Sequence, residues 1–107
     1  MSAYNTVSAE IQLPGCKLKC DILVQFKYGE CRQHNYRVGQ KIAWGGNQVG
    51  KSGAKHVVVD GCLDGSCHYD GIPEDYEVHI EDDHITRVVP SSGQYDFVKA
   101  KEAYIVL

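Results

Sequence analysis

At 107 residues the chain is long enough to bury one core and short for two, so a single domain over residues 1–107 is expected. Its 43% hydrophobic and 23% charged residues are ordinary for a globular domain, and the absence of a long apolar run excludes a helical membrane span. A net charge of −3 excludes the strongly basic footprint of a nucleic-acid binder, so neither nucleic acid nor membrane is an expected partner.

Charge is unevenly placed along the chain. Residues 1–55 carry eight basic and three acidic side chains, about +5, whereas the remainder carries three basic and eleven acidic ones, about −8. The acidic run from Asp70 to Asp83 lacks the spacing of a calcium loop and reads as a solvated face.

Taken in chain order, the first ten residues, MSAYNTVSAE, have neither a basic nor an apolar signal region, and the expected location is cytoplasmic. Residues 20–28 then alternate, with Cys20, Ile22, Val24, Phe26 and Tyr28 on one face and Asp21, Gln25 and Lys27 on the other. That is the pattern of a half-buried strand. Gly29 and Glu30 predict a turn, and Tyr36 and Val38 continue on a hairpin partner. After a reversal at Gly39, residues 41–44 form a short strand, and the β-branched residues 55–60 form a buried one.

Residues 76–80 alternate, 81–84 are a polar turn, and 85–89 return, so the hairpin of residues 76–89 should bury Val78 and Ile80 and expose Glu77 and His79. Tyr95 and Val98 bound one further extended stretch and Tyr104 and Leu107 another, with room between them for a single helical turn. The expected fold is all-β: one small antiparallel domain, barrel-like or sandwich-like, of about six to eight short strands with at most that one turn of helix. Tyr36, Val38, Gly39 and Ile42 follow an aromatic-x-V-G-x-x-I pattern that resembles the turn where strands enter SH3-like barrels. The resemblance implies a small barrel of the binding-module kind.

Two motifs bear on function. Gly45, Gly50, Lys51 and Ser52 spell G-x-x-x-x-G-K-S, the pattern of a phosphate-binding loop. A working loop of that kind runs into a helix whose N-terminal amides complete the cradle, whereas here β-branched residues follow within a few positions. A β-to-β connection is therefore expected, with Lys51→Ala silent.

The five cysteines form Cys16-x₃-Cys20, a lone Cys31, and Cys62-x₄-Cys67. Two close pairs are what a structural Cys₄ zinc site asks for, so Cys16, Cys20, Cys62 and Cys67 are the candidate metal ligands, zinc the one candidate cofactor, and Cys31 the alkylatable thiol left over. Cys31 and His34 lie on opposite faces of an extended run and do not make a nucleophile and base. No catalytic residue is assigned, and His79 and His84 read as solvated. The functional expectation is a non-catalytic β domain that binds another protein and carries a structural zinc. The alternative is a nucleotide-binding protein or small enzyme using the Gly45 to Ser52 loop.

Overall fold

The computed structural model describes residues 4–12, 19–31, 33–45, 48–50, 52–64, 74–95, 97 and 104–107. The fold is all-β, as expected. Its long strands are β1 (Asn5–Gln12), β2 (Lys19–Phe26), β6 (His56–Leu63), β7 (Asp75–Glu81) and β8 (His84–Pro90). The short ones are β3 (Gly29–Glu30), β4 (Asn35–Arg37), β5 (Gln48–Val49) and β9 (Tyr104–Val106).

Seven of these make one curled sheet in the order β4-β1-β2-β6-β7-β8, with β9 also paired to β6. β3 and β5 form a separate pair. The chain after β4 then reaches the far edge of the sheet. Gly39 N donates to Ile85 O at 2.6 Å, Ile85 N to Gln40 O at 3.0 Å, and Ile42 N to Asp83 O at 2.7 Å. One segment thus touches β1 at one end and β8 at the other, so the sheet wraps a core of Val7, Ile22, Val24, Val57, Val78 and Ile85.

The strand predicted over residues 20–28 has the expected faces: Ile22, Val24, Phe26 and Tyr28 are buried and Asp21 is exposed. Residues 29–38 differ from expectation. They do not return as a hairpin beside β2; β4 crosses to β1 and pairs with it in parallel, Val7 opposite Tyr36, which makes the sheet mixed. Buried Asn5 fixes this crossing by donating to the carbonyls of Tyr28 (3.1 Å) and Glu30 (3.0 Å) and accepting from His34 N (3.1 Å). Those three backbone groups are satisfied by one side chain. β1 itself was not foreseen, although Val7, Ala9 and Ile11 alternate with Thr6, Ser8 and Glu10 as a half-buried strand should.

The β7–β8 hairpin forms with Glu81 opposite His84. Its two-residue loop has Asp82 at φ 52° and Asp83 at φ 64°, the left-handed pair that matches strand twist in a tight hairpin. Thr86 is an extra residue in β8, because His79 faces Arg87 while Ile80 faces Ile85.

One expectation about this hairpin is corrected. Val78 and Ile80 are buried as predicted, but so are Glu77 (3% exposed) and His79 (2%). Alternation gave their direction correctly, away from the core. The chain after β8 folds back over that second face: Ser91 N donates to Asp75 O at 2.9 Å and the Tyr95 ring stands edge-on to His79. Among the described residues no helix is long and apolar enough to cross a membrane.

Candidate functional site

The phosphate-loop motif leads into strand. After β5 come Gly50, a turn at Ser52 and Gly53, and then β6, a β-to-β connection. Lys51 lies outside the described residues. Gly50 has φ 87° and sits against the Tyr28 ring, which an added Cβ would strike, so packing accounts for this glycine.

The end of the motif and the residue after it hold a carboxylate of the chain itself. Ser52 Oγ donates to Asp83 Oδ2 at 3.0 Å, and Gly53 N reaches both Asp83 oxygens at 3.0 and 3.1 Å. Asp83 is only 7% exposed, so it belongs to the packed interior and not to a solvated acidic face, as does Glu77.

Of the four candidate metal ligands, Cys16 and Cys67 and the side chain of Cys20 lie outside the described residues. Cys62 is exposed and lies within β6. The ladder sets Cys62 opposite Gln25, and Cys20 lies 25 − 20 = 5 residues away along β2. At the rise of an antiparallel strand that is about 17 Å. Among the described residues no three His, Cys, Asp or Glu side chains gather to hold a metal ion.

The lone Cys31 is not the accessible thiol. It is 3% exposed, its Sγ donates to Gly29 O at 3.6 Å, and burial pushes its pKa up, away from the reactive thiolate. His34 turns instead to Glu30, Nε2 to Oε1 at 3.0 Å.

A polar chain that the sequence did not reveal runs over the outer face of the sheet, with Glu77 and His79 buried within it. Ser92 donates through N and Oγ to Glu77 Oε2, both at 2.9 Å; Glu77 Oε1 lies 3.6 Å from His79 Nε2; and His79 Nδ1 lies 3.1 Å from His56 Nε2. The tautomers that suit both contacts put a proton on His79 Nε2, facing the carboxylate, and have His56 Nε2–H donate to His79 Nδ1.

Burial lowers the pKa of His79. Arg87 adds to this, as does His56, while Glu77 acts in the opposite sense. Below the ordinary value near 6.5 the unfolded chain takes up a proton that the folded chain resists. Stability is therefore full above that value and falls as the pH drops toward the lowered folded pKa. The Tm should decrease from about pH 7.5 to about pH 5.5, and by less in His79→Gln. Thermal melts across that interval check this, and an equal decrease in both proteins would place the titration elsewhere. The chain of contacts ends at a serine whose hydroxyl already serves the carboxylate.

The other place with unspent binding capacity is the C-terminal strand. β9 pairs with β6 through Val57 and Val106, Val58 and Ile105, and Val59 and Tyr104. Beside it lies an open, mainly apolar groove of about 440 Å³ lined by Tyr28, Ser52, Gly53, Ala54, Tyr104 and Val106. Tyr28, fully buried, lies beneath it, held edge-on against Trp44 at 5.3 Å and Tyr104 at 5.4 Å between ring centroids. The Asp83 clamp on Ser52 and Gly53 fixes its wall. Val106 (60%) and Leu107 (54%) are the most exposed large apolar residues among those described. No protein-family model, curated protein or solved structure matches the chain.

Proposed function

We propose that this chain is a non-catalytic cytoplasmic β domain that binds another protein, and that it binds at β9. The observation that carries this reading is the coincidence of exposed Val106 with the mainly apolar groove that it lines together with Tyr104 and Ala54. Apolar surface gathered beside a concavity is what a binding site offers, whereas scattered apolar residues are ordinary. The ionisable groups support the same reading from the other side. Asp83 and Glu77 are spent on holding backbone, and the exposed thiol of Cys62 suits a reducing compartment.

Selection of ten-residue peptides from a displayed random library against the domain tests the proposal. Binders are expected whose amide-shift changes map to Tyr28, residues 52–54 and β9, and whose affinity falls about tenfold or more in Val106→Asp/Leu107→Asp. Enrichment of nothing that this double variant loses would overturn it. Mg²⁺-dependent ATP or GTP binding that vanishes in Lys51→Ala would instate the nucleotide reading in its place.

A further inference from the structure

The geometry points to the form of the partner: an extended peptide that adds as a strand to the outer edge of β9 and places apolar side chains, two residues apart, in the groove. This rests on the reading of β9 as the binding surface and goes further by fixing how the partner is held.

The inference comes from the hydrogen-bond register. Leu107 N donates to His56 O at 2.9 Å, and Leu107 is the residue opposite His56 in the ladder. In an antiparallel pair, bonded and non-bonded positions alternate. His56 with Leu107 and Val58 with Ile105 are therefore the bonded pairs, while Val57 with Val106 and Val59 with Tyr104 are not. It follows that the N–H and C=O groups of Tyr104 and Val106 point away from β6. Among the described residues no strand pairs with that edge.

The same two residues line the groove. Their side chains share a face with Val57 and Val59, both fully buried, so that face is the core side of the sheet. A strand bonded to Tyr104 and Val106 has the residues opposite them on that face too, because cross-strand partners project to one side. Those residues meet the groove lined by Ala54, Tyr104 and Val106, which favours apolar side chains there. The residue between them, opposite Ile105, faces the other way and is unconstrained by the groove.

Area decides against a second copy of this chain as the occupant. A stable interface takes roughly 800 Å² from each partner, about an eighth of the 6738 Å² surface of the chain. The open edge is only three residues long, a length that suits a short linear segment better than a surface of that size.

The test uses the tightest peptide from the library selection. In a scan of backbone N-methylation along that peptide, measured on the unaltered protein, two positions spaced two apart should weaken binding about tenfold or more, and the position between them should be neutral. On the protein side, Val106→Pro removes an outward N–H and leaves the amides of Ile105 and Leu107 facing β6, so β9 should keep its protection from hydrogen exchange at Leu107 while binding is lost. Ile105→Pro, which removes an inward N–H, should release β9.

If the Val106→Asp/Leu107→Asp variant abolishes binding but N-methylation is tolerated everywhere, the peptide sits on side chains alone, and strand addition is overturned while the binding surface stands. If no selected peptide depends on Val106 and Leu107 at all, the binding reading itself falls. A peptide that drives the chain to twice its mass in sizing experiments would identify a paired copy as the occupant and also overturn the inference.

Discussion

Glu77→Ala should destabilise the fold by about 2 to 4 kcal/mol, a large effect for a residue that alternation alone assigns to solvent. The carboxylate accepts from Ser92 N and Ser92 Oγ and lies 3.6 Å from His79 Nε2. Truncation frees two donors of exposed Ser92 and leaves the buried His79 Nε2, at 2% exposure, without the carboxylate it faces, at a site itself 3% exposed. Desolvation of such groups is costly when the partner alone is removed. Glu77→Gln keeps an oxygen for Ser92 and should lose roughly half as much. Val78→Ala, on the core face of the same strand, should cost roughly 1 to 3 kcal/mol through the cavity it leaves. Urea midpoints of the three variants, with a Glu77–Ser92 double-mutant cycle, check the ranking; a Glu77→Ala protein within about 0.5 kcal/mol of the parent would show that residues 91–95 do not hold the outer face.

The contrast between Glu77 and Val78 shows what was legible in the sequence. Period-two alternation sets which way a side chain leaves the strand, and it was right for Ile22, Val24, Phe26, Val78 and Ile80. It carries no information about whether something lies over the second face. Here the cover is the chain after Pro90, tied down through Ser91 and Ser92, and those small polar residues read only as a loop. Likewise the turn at Gly29 was visible, but where the chain went afterwards depended on buried Asn5, twenty-four positions upstream of Gly29. Parallel pairing of β4 with β1 is a long-range choice that no local pattern states.

The candidate site was less legible than the fold. The β-branched residues that follow Ser52 already argued that the phosphate-loop pattern was a connection. The binding edge, by contrast, depends on which of the residues in β9 turn their amides toward β6, and this register exists only once strands pair. Tyr104, Ile105 and Val106 read simply as an extended run. Nor could spacing alone show that Tyr28, at the end of one strand, would lie beneath a groove walled by residues 52–54 and β9.

Asp83→Ala is the second substitution of large expected effect, about 3 to 4 kcal/mol, because two penalties coincide. The residue sits at φ 64°, where alanine is disfavoured by about 1 to 2 kcal/mol. Its carboxylate also takes the Ser52 hydroxyl and the Gly53 amide at 3.0 to 3.1 Å, and charge-assisted bonds of this kind contribute roughly 1.5 to 3 kcal/mol. Two further variants separate the terms. Asp83→Gly relieves the backbone and loses only the bonds, so about 2 kcal/mol is expected, whereas Asp83→Asn tolerates the left-handed conformation and keeps an acceptor oxygen, so about 1 kcal/mol is expected. Since Ser52 and Gly53 form one wall of the groove, the alanine and glycine variants should also speed hydrogen exchange at Gly53 and weaken peptide binding, and the asparagine variant should do neither. An asparagine variant as unstable as the alanine one would show that the clamp depends on charge; a glycine variant matching the parent would show that backbone strain, and not the tie to the loop, is what makes Asp83 matter.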